Sequence, residues 1–207
     1  RASASGLVYL GVGAGLLVSS GLVSLPADWL VGAQRWWPAF LLSVPLAIWG
    51  WKQLAQLDVP PPVYLDKSGL PPSTRLLDRD STPLFLSYAG AGMGYILPMT
   101  FLPTLVSQLD DLPEFLVGGS WLVVALATLP APWIWNKAGT LLGDSPALRL
   151  NYGLQLLGVL AVLVMPSTLG VLLCALLVGG TFLGTVLLSQ RLARTLHPHQ
   201  GPRLSAA

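Results

Sequence analysis

The stretch Leu84–Gln108, LFLSYAGAGMGYILPMTFLPTLVSQ, decides the fold. It carries no formal charge over 25 positions, and a helix of that length, rising about 1.5 Å per residue, crosses the roughly 30 Å hydrocarbon core of a bilayer. A plain anchor would be Leu, Val and Ile throughout. Here three glycines fall at alternate positions (Gly90, Gly92, Gly94), two prolines follow (Pro98, Pro103), and Tyr88, Tyr95 and Thr100 add polar atoms. The pattern predicts a membrane helix built for close contact and for bending.

The rest of the chain is of the same kind. Its 207 residues are 53% hydrophobic and only 10% charged, with a mean hydropathy of +0.67, so lipid is the solvent for most of it. A net charge of +2 gives nucleic-acid binding no electrostatic support. The single cysteine, Cys174, excludes an internal disulfide and a cysteine metal cluster. His197 and His199 flank Pro198 in a basic tail and read as solvated side chains, because a metal site needs three or four ligands. No metal site and no cofactor is expected.

Six apolar segments follow from the hydropathy: Gly6–Leu25, Trp36–Trp51, Leu84–Gln108, Phe115–Trp135, Leu150–Met165 and Leu169–Ser189. The fold class is therefore all-α, a polytopic membrane protein with six transmembrane helices. Gly11, Gly13 and Gly15 give the first segment a small-residue face for helix packing. Residues 52–83, which include the run Pro60–Pro62, form the one long hydrophilic stretch and divide the segments into two sets. A tight acidic turn holds Asp110, Asp111 and Glu114, and residues 136–149 read as a short polar loop. The chain has no initiator methionine and the first segment no cleavage site, so a signal peptide is not expected and a longer gene is.

Six spans with Arg1 inside place residues 1–5, 52–83, 136–149 and 190–207 in the cytoplasm. Those stretches hold ten of the eleven Lys and Arg, leaving only Arg35 outside. This is a strong positive-inside asymmetry.

No Asp, Glu, Lys, Arg or His falls inside the six spans, which removes the base or relay that an intramembrane enzyme or proton path needs. The remaining chemistry is glycine, aromatic and hydroxyl. On a helix Tyr88, Gly92, Tyr95 and Met99 share one face, so two phenols flank a gap. They line a cavity or, alternatively, pack between helices. Pro98 frees a backbone carbonyl one turn earlier. In the sixth segment Gly180 and Gly184 accompany Thr181 and Thr185, which share a face. Those threonines line a cavity or bond their own helix's carbonyls. Asn151 and Gln155 open the fifth segment on one face, as interhelical hydrogen bonders.

These residues suggest a family. YAGAGMGYILPMTFLPTLVSQ at Tyr88–Gln108 resembles the seventh helix of YbfB/YjiJ-type members of the major facilitator superfamily, with its tyrosine–glycine pattern followed by T-F-L-P. SGLVYLGVGAGLLVSSGLV at Ser5–Val23 is similar to the fifth helix, and GGTFLGTVLLSQRLAR at Gly179–Arg194 to the tenth. Met93 departs from the aromatic usual there, and residues 136–149 lack the superfamily's Asp–Arg loop pair. The resemblance implies helices five to ten of a twelve-helix fold. Residues 1–51 would close the N-terminal half, 52–83 form the cytoplasmic loop between halves, and 84–207 begin the C-terminal half.

The function it implies is secondary active transport of a small molecule by alternating access, ion-coupled, in the bacterial inner (plasma) membrane. Tyr88, Gly92, Tyr95, Thr100, Thr181 and Thr185 would bind substrate. Gly11, Gly13, Gly15, Gly90, Gly94, Pro98, Gly180 and Gly184 would serve helix packing and gating. The expected partners are the lipid bilayer, an unidentified small-molecule substrate and the remaining helices of the same polypeptide. The alternative is a non-transporting six-span scaffold or complex subunit.

Overall fold

In lipid every backbone N–H and C=O must be paired within the chain, and a helix does this locally. The computed structural model describes residues 2–24, 32–56, 78–79, 81–109, 112–113 and 115–196, and these are helical apart from short connections. The helices are α1 (Ala2–Ser24), α2 (Trp37–Ala55, preceded by a 3-10 turn at Gly32–Trp36), α3 (Ser81–Ser107), α4 (Phe115–Thr128), α5 (Ala131–Leu142), α6 (Asp144–Val164) and α7 (Thr168–Leu196). The acidic turn and both histidines lie outside the described residues.

The chain divides into two compact units, residues 22–75 and residues 1–21 with 76–207. In the first, α2 contains Pro45 and buries none of its side chains. Trp37 meets Phe40 edge-on, with ring centroids 5.6 Å apart.

The second unit is a bundle around α7. About 67% of the most apolar part of α7 is buried, against 11% for α3, so α7 is the core and α3 packs by one side only. One apolar cluster joins Leu102 and Val106 of α3, Leu116 and Val124 of α4, Val162 of α6 and Val171, Cys174 and Val178 of α7. A second joins Leu84, Ala131, Trp135, Leu148, Leu188 and Ala193. Early α3 thus meets late α7, and late α3 meets early α7, so the two helices run antiparallel. The same antiparallel order brings Arg79, Lys137, Arg149, Arg191 and Arg194, all the described cations of this unit, to one end of the bundle.

Three helices, α3, α6 and α7, are long and apolar enough to cross a membrane. The pair α4 and α5, bent by 42° at the break, makes a fourth if read as one span. Pro130 and Pro132 cause that break, because proline cannot supply the N–H that would continue α4 but suits the first turn of α5.

The expected loop at residues 136–149 is instead helical. α5 continues to Leu142 and α6 begins at Asp144, with Gly143 at φ +89° as the sole junction. Only glycine takes that backbone angle without steric cost, so one residue suffices to turn the chain. Asp144, at the N-terminal end of α6, forms an ion pair with Arg191 near the C-terminal end of α7 (Nη2 to Oδ1, 3.0 Å), each charge matched to its helix end. The better aligned hydrogen bond runs from Nε to Oδ2 at 3.3 Å, and Arg191 Nη1 also donates to Asn136 Oδ1 at 2.8 Å. The polarity that suggested a loop belongs to helix ends held by these contacts.

Candidate functional site

α3 starts on a reciprocal cap. The Ser81 N–H donates to Asp78 Oδ1 at 2.8 Å, and the Asp78 N–H donates to Ser81 Oγ at 3.0 Å. From there α3 runs unbroken through Pro98 and Pro103. Its Tyr88–Gly92–Tyr95 face has open space at its centre, since a Cβ at Gly92 would meet no atom within 4 Å. Gly90 is equally open. Tyr95 packs beside Phe182 of α7, with ring centroids 5.8 Å apart and planes tilted by 43°. Thr100 is exposed and lies about 120° round the helix from Tyr88, off that face.

A buried polar spine lies behind this face. Asn151 Nδ2 donates to the Thr181 carbonyl at 2.9 Å, and the Thr185 hydroxyl donates to Asn151 Oδ1 at 2.7 Å. Gln155 Nε2 donates to the Ala91 carbonyl of α3 at 2.9 Å, where Gly94 leaves it room. The Thr181 hydroxyl donates to the Leu177 carbonyl of its own helix at 2.7 Å. The Trp135 indole donates to the Gly180 carbonyl at 2.6 Å, and its ring lies flat where any side chain at residue 184 would stand. Both threonines are therefore buried between helices, and Asn151 and Gln155 are the interhelical hydrogen bonders their spacing suggested.

Of the described α1 glycines, Gly13 alone lies against another part of the bundle. Its Cβ position is 3.3 Å from the Leu129 Cα at the α4–α5 break, while Gly11 and Gly15 are open. The Ser20 hydroxyl donates to the Trp121 carbonyl at 3.3 Å. The resulting antiparallel docking carries Tyr9 to the far end of α7, where its hydroxyl donates to Gln190 Oε1 at 2.8 Å.

Tyr9 of α1 and Tyr152 of α6 both pack against the apolar cluster that holds Leu84, one turn before Tyr88 on α3. Phenols from α1, α3 and α6 thus come to the Tyr88 end of the α3 face. Tyr9, Tyr152, Ser189 and Gln190 were not among the expected site residues. They lie on three different helices, and only the register between helices brings them together.

A separate 290 Å³ cavity lies on another side of α3, lined by Met93, Leu97, Pro98, Phe101, Val159, Leu163 and Cys174 among others. Apart from the thiol its walls carry no side-chain hydrogen-bonding group, so it cannot read a polar molecule. Among the described residues no group of three or more His, Cys, Asp or Glu could hold a metal ion.

The sequence model of the family described as uncharacterised MFS-type transporter YbfB matches residues 1–207. The chain belongs to this YbfB-type family of major facilitator superfamily transporters. It is an integral membrane protein of a transporter family, not of an enzyme family. No curated protein and no solved structure gives a match.

Proposed function

We propose that this YbfB-type chain is part of a secondary active transporter that moves a small molecule by alternating access. The observation that carries the reading is the open space at Gly92 on the face that Tyr88 and Tyr95 share, on a helix held to the bundle at the Tyr95 end of that face by Phe182 and from the side by Gln155. Half-open faces of glycine-rich, proline-containing helices at membrane depth are typical of transporter cavities. Tyr88, Gly92 and Tyr95 bind substrate directly. Thr181 and Thr185 act from behind, through the spine that sets α6 and α7, and Thr100 takes part only from a neighbouring face. Gly13, Gly94 and Gly184 let helices approach, Gly11, Gly15, Gly90 and Gly180 leave room for movement, and Pro98 supplies the point of bending.

In this reading the chain crosses the membrane six times within a twelve-helix fold, with residues 1–51 and 84–207 in opposite halves. The cation-rich end of the bundle faces the cytoplasm and the membrane is the bacterial inner membrane, as the distribution of Lys and Arg supports. Coupling is to an ion gradient. The test is proteoliposome uptake from a metabolite mixture, read by mass spectrometry with and without an imposed proton or sodium gradient. Gradient-dependent accumulation of one compound class, lowered by Tyr95→Ala, is expected. Reconstituted protein that accumulates nothing under either gradient would refute the reading.

A further inference from the structure

Two buried polar atoms at the phenol cluster have no hydrogen-bond partner: the Tyr152 hydroxyl and Ser189 Oγ. Ser189 is 6% exposed. Leaving such a group unpaired is costly, and the spine one turn away pairs the buried amide and hydroxyl of Asn151 and Thr185. The register places Ser189 in the cluster. Tyr95 meets Phe182, and residues seven apart share a helix face, so in an antiparallel pair Ser189 stands level with Tyr88. Leu84 and Ala193, in one cluster, extend the same register.

Among the described residues the uncommitted charge at this end of the bundle is positive. The described acids of this unit are already committed, Asp78 to the cap of α3 and Asp144 to Arg191. Arg194 is exposed, has no carboxylate partner among the described residues, and stands one helical turn beyond Gln190 on the same face of α7, at the end where Tyr9 donates to Gln190. Above it, Gly92 leaves open space on the helix face that Tyr88 and Tyr95 share. The site therefore offers an open aromatic face, neutral donors and acceptors, and a cation at its mouth.

We infer that this site takes an aromatic organic anion, its ring over Gly92 between Tyr88 and Tyr95 and its carboxylate turned toward Gln190 and Arg194. The inference rests on the transport reading and gives it a substrate class. Tyr152 and Ser189 hydrogen-bond the bound ligand. Arg194 excludes cations that a bare ring of phenols would otherwise attract.

The test is equilibrium binding to the full chain in lipid nanodiscs, with three probes that share one ring and differ in charge: indole-3-acetate, indole-3-acetamide and tryptamine. Indole-3-acetate is expected to bind at least ten times more tightly than the amide, with tryptamine weakest. Arg194→Gln should bring the acid-to-amide ratio close to one, and Tyr152→Phe and Ser189→Ala should each weaken the acid several-fold. Equal or tighter binding of the amide or the amine overturns the proposal, as does a preference that survives Arg194→Gln or the absence of binding by all three. None of these outcomes touches the transport reading, which fails only if proteoliposomes show no gradient-driven uptake.

Discussion

Tyr95 of α3 lies 5.8 Å from Phe182 of α7, centroid to centroid, and this contact fixes the height at which α3 presents its open face. One turn of slippage would carry Tyr88 past Ser189 and take Ala91 out of reach of Gln155. The ring of Tyr95 thus positions the proposed site, to which its hydroxyl would contribute.

Ring and hydroxyl can be separated by substitution. Tyr95→Ala removes an aromatic pair of about 0.5–1.5 kcal/mol and should lower initial uptake by five-fold or more at unchanged expression. Tyr95→Phe keeps the pair and should cost less. Equal kinetics for Tyr95→Ala and the parent in proteoliposomes would remove Tyr95 from the site.

Two neighbouring glycines should respond in opposite ways. A side chain at residue 184 collides with the Trp135 ring, and the Asn151 amide is 2.5 Å from its Cβ position, whereas Gly180 faces open space. Overpacking of this kind costs typically about 1–3 kcal/mol. Gly184→Val should lower the thermal midpoint in detergent by several degrees, while Gly180→Ala should leave it nearly unchanged.

The polar spine links α6 and α7 through shared hydrogen bonds, so its members should couple energetically. Asn151→Leu leaves the Thr185 hydroxyl only its long contact to Gln155 Oε1 at 3.4 Å and should cost about 1–2 kcal/mol, measured as a shift in denaturant midpoint. Thr185→Val in the Asn151→Leu background removes the stranded hydroxyl and should recover part of the loss. A fully additive double variant would show that the two groups do not interact.

The Asp144–Arg191 pair is a weaker element. Its side chains are 18% and 32% exposed, so screening by water holds its contribution below about 1 kcal/mol. Asp144→Asn should shift the thermal midpoint by only a degree or two, and less in high salt.

Hydropathy alone made the all-helical membrane fold legible, because charge-free runs long enough to cross lipid have few other uses. The spacing of Asn151 and Gln155 revealed their role for a similar reason, since amides at i and i+4 on an apolar helix must bond outward. Residues 136–149 were misread because a polar helix end and a loop have the same composition, and Gly143 reverses the chain in one residue. The phenol cluster was only half visible. Tyr88 and Tyr95 share a helix and so a face, but Tyr9 and Tyr152 join them through the docking of Gly13 on Leu129 and of Gln155 on Ala91. No single-helix periodicity encodes those registers.

In a transporter of this kind the Tyr88–Gly92–Tyr95 face would line a water-filled cavity and not a lipid contact. Cys174 is the only native cysteine and is buried, so Cys174→Ala gives a clean background. Single cysteines placed at Gly92 and, as a buried control, at Thr185 can then be exposed to a charged thiosulfonate reagent in membrane vesicles of either orientation. The account predicts rapid modification of Gly92→Cys from one side of the membrane and none of Thr185→Cys. Failure of Gly92→Cys to react from both sides, in protein that still folds and inserts, would contradict it.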